Sequence, residues 1–152
     1  MSNWIVRQAD RIKRRDEHTA DQRRRGDQVR HLIRDRWAES WQATLAAMSS
    51  DVVAFNAQFP DDPRRHITAT RNGPDFAARR DDDDRLREIQ TTMSDAGLHL
   101  RVSWTDHATG TRSDTDDILP FGVSDSSTVG LLVHGQSGKP AEVAERLLLM
   151  LF

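Results

Sequence analysis

The sequence predicts an α+β fold: a long N-terminal helix packed on a five- to six-stranded antiparallel meander sheet, closed by a short C-terminal helix. Three observations carry this prediction. Apolar residues recur at three- and four-residue steps through the first third of the chain. A break with Pro60 and Pro63 follows. Beyond it the apolar residues alternate with polar ones, the period of a strand.

The helix is expected over residues 3–55. Val29, Leu32, Ile33, Trp37, Trp41, Leu45, Met48 and Val52 form one stripe on it. Phe55 and Phe59 extend the cover, and Phe59-Pro60-Asp61-Asp62-Pro63 stops the helix. The first part differs. Trp4, Ile5, Ala9 and Ile12 make a short apolar patch, and residues 13–28 then hold almost nothing apolar except Ala20. A helix polar all round is solvated, held by pairs such as Asp10–Arg14 and Asp21–Arg25, and Gly26 is a weak point in it. The chain therefore divides into a basic helical arm, 1–28, and a single α+β domain, 29–152.

His66 to Arg71 reads as a strand ended by Asn72-Gly73-Pro74. Phe76 and Ala78 point inward on the next. Leu98, Leu100, Val102 and Trp104 alternate cleanly with His99, Arg101 and Ser103. Residues 106–117 read as a polar connection, and Leu119, Phe121 and Val123 as a strand with Pro120 on its other face, an edge or bulged position. Residues 128–134 are a further strand. The last helix begins at Pro140, with Glu142 in its first turn and Val143, Leu147, Leu148 and Leu151 on its apolar side. The connections are too short for parallel crossovers, so the sheet is antiparallel.

Residues 85–96 fit a helix face (Leu86, Ile89, Met93) as well as a strand (Ile89, Thr91, Met93). A resemblance bears on this choice. The opening Met1-Ser2-Asn3-Trp4 with Arg7-Gln8-Ala9 carries it, together with Phe55-Asn56-Ala57-Gln58-Phe59-Pro60-Asp61-Asp62-Pro63 and the strand Arg101-Val102-Ser103-Trp104. His134-Gly135 before Pro140-Ala141-Glu142-Val143-Ala144 and the Leu-rich close to Phe152 complete it. Together these resemble a group of short uncharacterised bacterial proteins with a long N-terminal helix, an antiparallel sheet and a C-terminal helix, and no assigned function. The resemblance implies a strand over 85–96. It implies no activity and no catalytic residues. Lys139 departs from the group's capping Ser or Asp before Pro140, which weakens the expected start of the last helix.

Composition bounds the function. At 152 residues the chain suits one domain with a modest core. It has no Cys, which excludes disulfides, thiolate zinc sites and a Cys nucleophile. No apolar run is long enough to span a bilayer, and the N-terminus does not read as a secretory signal, so the expected location is the cytoplasm with no membrane partner. Residues 1–37 hold 11 basic and 6 acidic side chains, a net of +5; residues 38–152 hold 11 and 18, a net of −7. The molecule has a basic arm and an acidic body.

Most candidate sites read better as structure. Val133 to Pro140 ends in Gly138-Lys139 between a strand and a helix, yet Val133 stands where a phosphate loop needs its first Gly, and Pro140 where it needs Ser or Thr. His66, His99 and His134 can meet only if their strands bring them together. The acidic runs 81–84 and 114–117 lack the spacing of a calcium loop. Arg25-Gly26-Asp27 lies in a polar helix. No catalytic constellation, metal site or cofactor is expected. The least bland feature is the arm, with Trp4, Ile5 and Ile12 beside Arg11, Arg14, Arg15, Arg23, Arg24 and Arg25. Acidic residues interleave with these arginines, and no aromatic lies between Arg7 and Asp35 to stack on bases. The sequence thus favours a non-enzymatic interaction or scaffold protein whose partner is another protein or a second copy, a homodimer through the helix. Two alternatives are a small-ligand binder, with a pocket between sheet and helix lined by Trp37, Trp41 and Trp104, and a weak nucleic-acid binder through the arm.

Overall fold

The computed structural model describes residues 3–94 and 96–152; Met1 and Ser2 of the opening motif and Asp95 of the 85–96 stretch lie outside the described residues. Helix α1 spans Asn3–Asn56, 54 residues, unbroken at Gly26. At 1.5 Å per residue it is about 80 Å long, far longer than the body it serves. Its apolar stripe is therefore covered unevenly. Trp41, Leu45, Met48 and Val52 are buried, Leu32, Ile33 and Trp37 are half-buried, and Val29 is exposed. A short 3-10 turn, Pro63–Arg65, follows the helix.

Five strands form an antiparallel meander in chain order: β1 Ile67–Asn72, β2 Asp75–Asp81, β3 Arg85–Ser94, β4 Gly97–Asp106 and β5 Arg112–Leu119. Strand β3 falls where the resemblance placed a strand. The alternation sorts the side chains into two faces. Ile67, Phe76, Ala78, Ile89, Thr91, Leu98, Leu100 and Leu119 lie on the buried face. Buried Thr91 satisfies its hydroxyl on the Phe76 carbonyl at 3.2 Å. Against this face pack the C-terminal half of α1 and helix α2, Pro140–Leu148, whose Val143, Ala144, Leu147 and Leu148 are buried together with Leu151 of the closing turn. A second sheet of two short strands, β6 Phe121–Val123 and β7 Val129–Leu131, also packs on α1.

Three expectations are corrected here. The stretch 106–117 is not all connection, because Arg112–Leu119 is the fifth strand. Only Leu119 of it is buried; the rest of its inward face is exposed or half-buried, so it can be polar. Its pairing shows in the Arg101–Asp116 cross-strand ion pair at 3.0 Å. Next, Leu119, Phe121 and Val123 do not share a strand. Pro120 has no N–H for a ladder, and the chain leaves one sheet there and enters the other. Finally, the predicted 128–134 strand shortens to β7, and Val133 pairs back on Gln136 instead.

The weakened start of α2 is repaired from within. Lys139 has no acceptor to cap the helix, but the Glu142 carboxylate accepts the Lys139 backbone N–H at 3.1 Å, the reciprocal half of a capping box.

Strand β1 is one edge of the meander, and α1 protects it. The Asn56 amide accepts the Ile67 N–H at 2.7 Å and donates to the Ile67 carbonyl at 2.9 Å. This side chain stands in for a neighbouring strand at the start of the edge. Asn56→Ala should lose about 1–3 kcal/mol, because both backbone groups are then left unpaired in a half-buried site. Urea denaturation measures it, and a loss below about 0.5 kcal/mol would show that water replaces the amide without penalty.

Candidate functional site

The arm and the place where it leaves the body form the candidate site. In α1 every residue from Asn3 to His31 is exposed except Gly26. Trp4 is 61% exposed and Ile12 51%, with Ile5 and Val6 close behind. Periodicity explains why such residues matter. Ile5, Ala9 and Ile12 stand 36 residues before Trp41, Leu45 and Met48, ten turns at 3.6 residues per turn. They therefore lie on the same helix face that buries the core, repeated where no core covers it.

Of the arginines named from the sequence, Arg23 alone shares that face. At about 100° per residue, Arg11, Arg14 and Arg25 cluster on one side, Arg24 points another way, and Arg23 falls among the apolar positions. Arg15 contacts Asp16 at 3.8 Å and Arg24 contacts Asp21 at 3.6 Å, all well exposed, and Arg30 pairs with Asp27. Two of these three pairs fall at i,i+3, and none is the expected Asp10–Arg14 or Asp21–Arg25. These contacts divide the arm's positive charge among carboxylates around its circumference.

Where the arm meets the body there is a notch of about 510 Å³. One wall is Arg30, Ile33, Arg34 and Trp37 of α1; the other is the turn between β3 and β4 with Met93 and Gly97, and the β5–β6 junction at Pro120 and Phe121. Trp37 packs on Phe121 with ring centroids 6.1 Å apart. Sequence reasoning missed this notch, because its walls come from three separated segments.

The three tryptophans do not line one pocket. Trp41 is fully buried, and its indole N–H donates to the Pro74 carbonyl at 2.7 Å. Trp37 borders the notch. Trp104 lies outside the core cluster, half-exposed, with the Arg85 guanidinium 4.4 Å from its ring centroid.

The remaining candidates are structural. His134 and Gly135 both take positive φ, 53° and 72°, the two-residue turn that joins paired strands. Arg146 donates to the Gln136 and Ser137 carbonyls at 3.1 and 3.4 Å. The loop turns carbonyls toward a cation, the opposite of a phosphate cradle. His66 bonds the Phe59 carbonyl, His99 faces Asp116 on the open sheet face, and His134 is exposed in its turn. These three sit in separate places.

A polar groove beside Phe55, Phe59 and Phe152 has its main cations engaged. Arg80 lies over Phe152 and bonds the Leu151 carbonyl and Asp82. His107 bonds Asp81 at 2.6 Å, and this carboxylate raises its pKa above the ordinary histidine value. A histidine raised in the folded state adds stability that is complete below the unfolded pKa, about 6.5, and is lost as pH rises through the folded value. An NMR titration should place the His107 midpoint above about 6.5, and Asp81→Asn should bring it down; an unchanged midpoint in that variant would assign the shift elsewhere.

Comparison with protein-family models, curated proteins and solved structures found no match to this chain.

Proposed function

We propose that this chain is a non-enzymatic protein-interaction or scaffold protein that presents the N-terminal half of α1 as its contact arm. The observation that carries the reading is the apolar face of Ile5, Ala9 and Ile12, held in the phase of the core stripe but covered by nothing of its own domain. An isolated helix is marginal in water, and packing of an apolar face is what stabilises helices in proteins. A solvated spacer would need no such face. The arginines add electrostatic steering toward an acidic surface, of which the −7 body of another copy is one, so association should weaken with salt.

The test compares the full chain with Ile5→Asp/Ile12→Asp. At concentrations too dilute for association both should share one thermal midpoint, because the substitutions lie outside the core. Only the unsubstituted chain should associate, with itself in sedimentation or with a protein captured in pulldown. Equal association of both chains would remove the arm from the contact. A shift of duplex or single-stranded DNA at moderate salt by both chains, with no protein association, would replace the reading with nucleic-acid binding.

A further inference from the structure

The reading of the arm as a contact surface leaves its partner open, and the following rests on that reading. We infer that the arm's partner is a second copy of this chain, joined antiparallel, each arm running into the notch at the root of the other.

One helix face orders its residues in a way that a second copy can match. From the tip inward that face carries Ile5, Ala9 and Ile12, then Asp16, Thr19, Arg23, Gly26 and Arg30, then Ile33 and Trp37. The pattern is apolar, polar, apolar, and its midpoint is near residue 21. Two identical arms paired antiparallel about that point set their apolar ends together and their polar middles together, with Ile12 against the aliphatic stem of the partner's Arg30. Ile5 falls opposite the partner's Trp37 and Ala9 opposite the partner's Ile33. Asp16 falls opposite the partner's Gly26, which has nothing within 4 Å of where a Cβ would stand, so the backbones can approach. Asp16 also comes within about one helical turn of the partner's Arg23, and the twofold repeats that opposite-charge pair. The register is restricted. Sliding one arm by a heptad toward the tips puts Ile5 on the partner's Arg30, Ala9 on the partner's Gly26 and Ile12 on the partner's Arg23, so that no apolar pair remains. A parallel pair sets Asp16 on Asp16 and Arg23 on Arg23, like charge on like charge, and carries the tips away from both notches.

The notch supplies the end of the contact. It opens on the same helix face, between α1 and the β3–β4 turn, at the height where an antiparallel tip arrives. Its apolar lining of Ile33, Trp37, Met93, Pro120 and Phe121 can receive the partner's Trp4 and Ile5, and Arg30 and Arg34 at its rim can stack on the indole. Both notches fill at once, which closes the assembly as a dimer.

The absence of Cys makes the test direct. Full-length Arg11→Cys and Gln22→Cys, each carrying one spin label, are measured by pulsed electron resonance at tens of micromolar. The expected result is a dimer in sedimentation, labels at 22 roughly 10–20 Å apart, set by interaxial spacing, and labels at 11 about 30 Å apart along the axis. Ile5→Asp should weaken dimerisation about 100-fold, since two apolar side chains per dimer are lost from it. Short distances at both positions mean a parallel pair and overturn the inference. A monomer at these concentrations overturns it too. If that monomer still captures another protein in an Ile5- and Ile12-dependent way, the contact-arm reading stands and only the second copy is excluded.

Discussion

Trp41→Ala should cost about 3–5 kcal/mol, the range for a large aromatic removed from a core. Trp41 has no exposed surface, and it is the point at which α1 first becomes fully buried. Its ring sits among the residues that join helix and sheet, and its N–H is held by the Pro74 carbonyl in the β1–β2 turn. The substitution opens a cavity and orphans that carbonyl together. For a domain of this size the loss corresponds to a fall in Tm of roughly 6–20 °C. Trp41→Phe separates the two effects: it keeps most of the ring and loses only the hydrogen bond, about 0.5–1.5 kcal/mol, plus a smaller void. Equilibrium denaturation measures both. An unchanged midpoint in Trp41→Ala would mean that α1 does not seat on the sheet through this residue.

Gly97→Ala is expected to cost about 2–4 kcal/mol, from backbone strain and forced displacement together. Gly97 has φ +135°, a region that side chains rarely enter, and a Cβ there would stand 2.6 Å from the Leu119 carbonyl oxygen. The obstacle is backbone of the neighbouring strand, so no rotamer change relieves it. Strand β5 and Pro120 must shift, and with them one wall of the notch. Gly73→Ala is the control. Gly73 has φ +60° with nothing within 4 Å, so it should lose only about 1–2 kcal/mol, the cost of a left-handed conformation alone. Thermal melts of the two variants side by side give the comparison. If Gly73→Ala proves as damaging as Gly97→Ala, the close approach at Leu119 is not the cause.

The helix, strands β1, β2 and β4, and α2 were legible in the sequence because each carries a strong local period. Trp41, Leu45, Met48 and Val52 mark one helix face, and Leu98, Leu100 and Val102 mark one sheet face, without knowledge of any neighbour. Strand β5 was not legible. Its Arg112-Ser113-Asp114-Thr115-Asp116-Asp117 has no apolar alternation, and it is a strand because β4 offers an edge to pair with. The break at Pro120 was readable as an irregularity but not as a change of sheet, since the residues on either side alternate in phase. For β3 the pattern fitted two structures equally, and only pairing with β2 and β4 separates them.

The sequence by itself determined the candidate arm: a polar helix with an apolar tip, basic in net charge, on an acidic body. It did so because composition and period are local properties. Tertiary structure decided how much of α1 the body covers, and so which part of its continuous stripe is core and which is open face. It also decided that Trp37, Trp41 and Trp104 part company, and it built the notch from segments some 60 and 85 residues away from the helix root. Burial and concavity belong to the arrangement of elements in space. A residue such as Ile5 carries the same period as Trp41, and the sequence cannot say which of them is covered until the length of the helix is set against the size of the sheet.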